Sequence, residues 1–323
     1  MSDNQSPPIV INPDGSVTRN ISFFPSSLPT PDENSDTLVL SKDVTINNIN
    51  KTWVRIHIPK QSTRNNNPVK KLPVIVYYHG GGFLMLSASS TLTHDFCNEL
   101  AKNLSVIVVS VDYRLAPEHR LPAAYEDGVE ALHWIKSSQD PWLINFADLS
   151  NCYLMGTSAG ANLAYHAGLR VSQKLDELEP LKIKGLILHH LFIGGVERTG
   201  SEIHLAEAGS LTLFHSDMSW DLSLPINASR DHEYSNLIIG GSDDMGRIKD
   251  SGLRVMVSNC YGDLLIDRQM EFAKNLELKG VMTECFYGEG YHGIELYDKS
   301  KAMKLFDVMS SFMSLSINNG HNN

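Results

Sequence analysis

The sequence predicts an α/β fold, a mostly parallel sheet with helices on both faces, and two observations carry that reading. From Trp53 onward short apolar runs alternate with helical patterns, the ordering that builds a parallel sheet covered on both sides. At Gly156-Thr157-Ser158-Ala159-Gly160 a buried run turns directly into a helical pattern, which is the strand–turn–helix unit such a sheet repeats. With 323 residues and 42% hydrophobic content, the chain can bury one large core, or one core plus a small cap.

The clear strands are Val54–Ile58, Leu72–Tyr78, Val106–Val111, Cys152–Met155, Ile183–Leu188, Arg254–Ser258 and Thr283–Tyr287. Between them fall helices at Leu92–Asn103, Ala123–Lys136, Ala161–Asp176, Asp267–Lys279 and Lys299–Leu315. Residues 1 to about 45 are rich in Pro, Ser, Asn and Asp and read as an extended arm rather than core. One segment, about 194–245, breaks the alternation, with Leu213, Phe214, Met218, Trp220 and Leu224 at helix-like spacing. It sits between two core strands, where an insertion would cover the sheet's C-terminal edge. The expectation is a single domain over 1–323, capped by the arm and this insertion.

No stretch of about eighteen apolar residues occurs, so no membrane helix is expected. Met1 to Thr18 is polar and carries prolines, with neither the basic start nor the apolar core of a secretory signal. Cys97, Cys152, Cys260 and Cys285 lack metal or disulfide spacing and read as buried reduced thiols, which suits a cytoplasmic location. Lys and Arg total 27 against 37 Asp and Glu, a net charge of −10. That balance argues against nucleic acid and anionic membrane surfaces and favours a neutral or cationic small molecule as substrate. No cofactor and no metal is expected, and the protein is expected to be a monomer or homodimer.

The chemistry is concentrated in two glycine motifs. Gly156 to Gly160 would present the Ser158 oxygen on a sharp turn, and the flanking glycines leave room for a strained backbone. His79-Gly80-Gly81-Gly82-Phe83, directly after an apolar strand, would supply N–H groups of Gly80 and Gly81 to an oxyanion, with Ala159 adding a third. His79 then orders the loop. A serine hydroxyl needs a base and the base needs an orienting acid, in the chain order Ser, acid, His. His292, in Gly288-Glu289-Gly290-Tyr291-His292-Gly293 after the last strand, is the base. Asp263, just past the Arg254–Ser258 strand, is the acid, and Asp267 caps the helix that follows. His189 and His190 have the wrong order and are expected to line the pocket or satisfy core hydrogen bonds. Asp112, in Asp112-Tyr113-Arg114, is expected to pair with a nearby arginine.

These residues resemble the plant carboxylesterases of the hormone-sensitive-lipase-like branch of the α/β-hydrolases, from about Ile9 to the last helix. The resemblance rests on His79–Phe83, Val111–His119, Leu121–Tyr125, Gly156–Asn162, Gly262-Asp263 through Gln269, and Gly290–Gly293. It implies an α/β-hydrolase fold with an eight-stranded sheet and small cap, a catalytic triad of Ser158, Asp263 and His292, and an oxyanion hole at Gly80, Gly81 and Ala159. Two places depart from the family pattern. Thr157 stands where most relatives carry an acid, as also happens in some relatives acting on plant alkaloids. His189-His190-Leu191-Phe192 stands where an acid and a proline are usual. The family also contains receptors that have lost the triad histidine, and enzymes that use the cavity for elimination or cyclisation. The reading is therefore ester hydrolysis on a plant specialised metabolite such as an alkaloid, with a cyclase or eliminase as the alternative.

Overall fold

The computed structural model describes residues 8–63, 71–239 and 243–318. Residues 1–7 of the expected arm and 240–242 of the insertion lie outside the described residues. The strands are β1 (Ile9–Ile11), β2 (Val17–Arg19), β3 (Val39–Asn47), β4 (Thr52–Pro59), β5 (Leu72–Tyr78), β6 (Ile107–Asp112), β7 (Ala147–Thr157), β8 (Ile183–His189), β9 (Arg254–Cys260) and β10 (Thr283–Gly288). The last eight form one sheet in the order β10-β9-β8-β7-β5-β6-β4-β3, while β1 and β2 pair as a separate hairpin. Pairing is parallel from β6 through β10 and antiparallel at β6–β4 and β4–β3.

The central strands read as unbroken apolar runs because both of their faces are covered. Successive side chains still part to opposite sides. Val74, Val76 and Tyr78 of β5 join Leu154 of β7 and Leu163 of the helix Ala159–Val171 in one core. Ile75 and Tyr77 join Tyr153, Met155 and Ile187 in a second, under the helices Thr91–Leu104 and Lys299–Asn318. Phe96, Leu305, Phe306 and Phe312 fill that second core from the helix side.

One strand was hidden in the expected arm. β3 forms the sheet's edge, with Val39, Leu40 and Ser41 buried and the remainder half-buried or exposed. An edge strand carries polar side chains along its open side, so Lys42, Asp43, Thr45 and Asn47 masked it. Three cysteines are buried as expected, but Cys285 is exposed because β10 is the opposite edge. Among the described residues no helix is long and apolar enough to cross a membrane.

The chain leaves β5 for β6 on one side and returns to β7 on the other. Such a switch point opens a crevice at the strands' C-terminal ends. Register aligns those ends: Tyr78 lies opposite Gly156, Thr157 opposite His189, and His189 opposite Ser258. The residues that follow each strand are thereby brought to one place.

The turn after β7 depends on its glycines. A Cβ on Gly160 would overlap the carbonyl oxygen of Tyr78, and one on Gly156 would overlap Gly160. Both obstacles are backbone and cannot swing away. Gly160→Ala should therefore destabilise the protein by about 3 kcal/mol or more, read as a lower urea midpoint or as loss of soluble protein; an unchanged midpoint would contradict the packing described.

Candidate active site

Ser158 joins β7 to the helix Ala159–Val171 with φ 57° and ψ −121°. A β-carbon resists that region, so the surroundings must hold it. Its N–H donates to the His189 carbonyl at 2.9 Å, and its carbonyl accepts from Ala161, Asn162 and Phe192. Asn162 braces the far side, its Nδ2 donating to the carbonyls of Phe192 and Tyr234 while Oδ1 accepts from the Tyr125 hydroxyl at 2.6 Å.

Asp263 follows β9 and His292 follows β10, and both meet Ser158. His292 Nε2 lies 2.8 Å from Ser158 Oγ, and His292 Nδ1 lies 2.6 Å from Asp263 Oδ2. Asp263 is fully buried, and its Oδ1 accepts the Leu265 N–H at 2.9 Å. Burial alone would raise its pKa, but the imidazoles of His292 and His190 outweigh that and hold it well below the usual carboxylate range. An ionised Asp263 accepts a hydrogen bond from the Nδ1–H of His292, which leaves Nε2 as the acceptor for the serine hydroxyl.

The glycine loop after β5 lies against Ser158. A Cβ on Gly80 would stand 3.4 Å from Ser158 Cβ and 3.1 Å from the Thr157 carbonyl oxygen. Gly81 and Gly82 take φ values of 105° and 61°, and a Cβ on Gly81 would overlap the Met85 carbonyl. His79 stacks on Tyr113 at 4.2 Å, and the Tyr113 hydroxyl donates to the His79 carbonyl at 2.7 Å. Burial pushes the His79 pKa down to about 4, against a hydrogen bond with Gly80 that would raise it, which suits a neutral ring ordering the loop.

The insertion touches both halves of the site. Ser219, on the helix Leu213–Ser223, stands so close to Gly82 that a Cβ there would collide with its hydroxyl. Ser210 Oγ donates to the His292 carbonyl. Trp220 stacks face to face on Phe192 at 4.4 Å and is fully buried. Between Ile9, Ile11, Met85, Phe214 and Met218 lies an apolar cavity of about 350 Å³.

Sequence reasoning missed the charged residues behind the acid. His190 fulfils the expected core hydrogen bonds, but its partners are Asp263 Oδ2 at 2.9 Å and Glu295 Oε2 at 2.8 Å. Glu295 sits on a short 3-10 turn three residues past His292; that proximity was its only sequence signal. Against burial, the imidazoles of His189 and His190 hold its carboxyl at about 2. By spacing alone His190, Asp263 and His292, or His189, His190 and Glu295, would suit a cation, their donor atoms lying within 4.8 Å of one another. The shortest contacts among them join ring nitrogen to carboxylate, which makes a hydrogen-bonded relay.

Two expected pairings are corrected. Asp112 does not meet an arginine: its Oδ1 accepts from the Ala88 N–H at 2.8 Å, and burial raises its pKa to about 6. Arg114, two residues past the end of β6, instead reaches Asp127 on the helix Ala123–Ser137 at 2.7 Å. Asp267 lies in the first turn of its own helix, but its Oδ2 accepts from the Ser201 N–H at 2.7 Å and so caps the neighbouring helix Gly200–His204. Thr157 is buried, and its Oγ1 accepts from the Tyr77 hydroxyl at 2.9 Å. Thr157→Val should orphan that hydroxyl and lower stability by about 1–3 kcal/mol, measured by urea unfolding; equal midpoints would show that the bond contributes nothing.

Residues 75–295 match a family model described as the alpha/beta hydrolase fold. Over 308 residues the chain is 49% identical to Carboxylesterase 20 of Arabidopsis thaliana, covering 94% of each protein. It is 42% identical over 291 residues to a 3-O-acetylpapaveroxine carboxylesterase of Papaver somniferum, covering 87% of this chain and 90% of that protein. Among solved structures, the hyperthermophilic esterase from the archaeon Pyrobaculum calidifontis superposes with a TM-score of 0.70 at 26% identity, covering 85% and 86% of the two chains.

Proposed function

The chain belongs to the plant carboxylesterases of the α/β-hydrolase fold and is a carboxylic ester hydrolase, and we propose that it works through an acyl-enzyme on Ser158. One observation carries the mechanism: the unbroken pair of short contacts from Ser158 Oγ to His292 Nε2 at 2.8 Å and from His292 Nδ1 to Asp263 Oδ2 at 2.6 Å. His292 takes the hydroxyl proton as Oγ attacks the ester carbonyl carbon. The carbonyl oxygen gains the negative charge, and the N–H groups of Gly80, Gly81 and Ala159 receive it. Ala159 opens its helix, so the positive end of the helix dipole adds to that stabilisation. The C–O bond then breaks, His292 returns its proton to the leaving alkoxide, and the acyl group stays on Oγ. Water repeats the sequence: His292 removes its proton, the hydroxide attacks the acyl carbon, and Ser158 leaves with the proton restored.

The substrate we assign is a short acyl ester of a plant specialised metabolite such as an alkaloid, neutral or cationic at physiological pH. The likeness to the poppy acetylpapaveroxine esterases supports the class. A net charge of −10 supports the charge preference. The arm and the 194–245 insertion act as the cap: their apolar cavity beside Met85 offers a wall for a ring system, and Ser210 and Ser219 tie the insertion to the histidine and glycine loops. Elimination or cyclisation would leave Ser158 idle; a serine held in line with its base favours hydrolysis.

On p-nitrophenyl acetate, Ser158→Ala should lose on the order of 10⁴-fold in kcat and all labelling by a fluorophosphonate probe. Wild-type protein that neither labels nor turns over any ester would sink the hydrolase mechanism. Asp263→Asn should retain labelling at a rate lower by about 10³–10⁴-fold, since it leaves the serine but favours the wrong histidine tautomer; a labelling rate within tenfold of wild type would remove Asp263 from the relay.

A further inference from the structure

Behind the acid stands an imidazole that the three-residue relay does not use. His190 is fully buried, and each of its ring nitrogens faces a carboxylate oxygen, Asp263 Oδ2 at 2.9 Å and Glu295 Oε2 at 2.8 Å. A neutral imidazole has one N–H and one lone pair. It could satisfy one of these acceptors only by turning a lone pair towards the other, in a place where water cannot intervene. An imidazolium donates to both. We propose that His190 is a permanently charged positioning residue, with Glu295 as its counter-ion, which keeps Asp263 ionised and its Oδ2 aimed at His292. This rests on the esterase mechanism above and extends its relay to five side chains: Ser158, His292, Asp263, His190 and Glu295.

The backbone supports a built device. His190 has φ 49°, in the left-handed region that side chains resist. Its N–H donates to the Ser258 carbonyl at 2.7 Å, and the preceding carbonyl, of His189, accepts the Ser158 N–H at 2.9 Å. One strained residue thus sits between the nucleophile and the strand that carries the acid. That placement lets its ring fill the space directly behind Asp263.

The groups facing this imidazole come from β8, β9 and the segments that follow β9 and β10. His189 on β8 has Nε2 3.5 Å from Glu295 Oε2, and burial pushes its pKa down to about 3, so it is neutral. Cys260 on β9 points Sγ at Glu295 Oε1 at 3.5 Å, and burial raises its pKa, so it remains a thiol. Asp263 and Glu295 are the anions. His292, on the loop after β10, has its ring 5.1 Å from that of His190. Two carboxylates therefore face one fixed cation, leaving one negative charge, which is cancelled when His292 takes the serine proton.

His190→Gln keeps a donor for Asp263 but loses the charge. With p-nitrophenyl acetate it should lower kcat about 10–100-fold and leave KM within about threefold. A folded variant whose kcat stays within about threefold of wild type, or whose loss falls on KM instead, would overturn the proposal. If the variant does not fold, nitrogen-15 NMR of the wild-type imidazoles decides: both ring nitrogens of His190 should remain protonated from pH 6 to pH 9. A bare ring nitrogen on His190 at pH 7 overturns it. The NMR result stands apart from the esterase reading, which fails instead if the wild-type protein hydrolyses no ester.

Discussion

The site depends on Ser158 being held where an L-residue resists going. At φ 57° and ψ −121° the serine lies outside the main allowed regions, and a conformation of that kind persists only when its surroundings over-determine it. They do so here from three directions. The His189 carbonyl takes its N–H, Phe192 and the first helical turn take its carbonyl, and Gly156 and Gly160 let β5, β7 and the helix approach without a Cβ between them. The sheet order follows from the same need. β7 must lie between β5, which brings the glycine loop, and β8, which brings the carbonyl that anchors the serine.

A second constraint is electrostatic. Ionised groups with little or no exposure require partners, since desolvation penalises each charge unless hydrogen bonds replace water. Asp263 and Glu295 meet that condition through His190, and Asp263 through His292 and the Leu265 N–H as well. Short contacts run from Ser158 through His292, Asp263 and His190 to Glu295. In the proposed mechanism a proton moving from Ser158 to His292 creates a positive charge beside an anion whose position is already fixed, and little reorganisation is required.

Much of this was legible in the sequence, for physical reasons. Strands β5 to β9 are covered on both faces, so their apolar runs are continuous and easily seen. The nucleophile and the glycine loop need steric vacancy, and vacancy is written as glycine. Asp263 and His292 follow from chain order and from their places after strands. The edge strand β3 was not legible, because its solvent side demands the polar residues that make a loop. Glu295 was not legible either: one acid among 37 Asp and Glu gains meaning only when the fold sets it against His190. A nearby arginine was expected to pair with Asp112, whereas Asp112 accepts from the Ala88 N–H and Arg114 reaches Asp127.

Thr157 ties these lines together. The family resemblance places an acid there, directly before the nucleophile, and a carboxylate at that buried point would need a cation of its own. Threonine meets the position with a neutral bond to the Tyr77 hydroxyl. The charges beside Ser158 are thereby confined to the side of His292, Asp263, His190 and Glu295. On that side Ser158 meets His292, His292 meets Asp263, and His190 stands behind the acid. Here the substitution before the serine and the histidine pair after β8, two separate departures in the sequence, become parts of one charge arrangement.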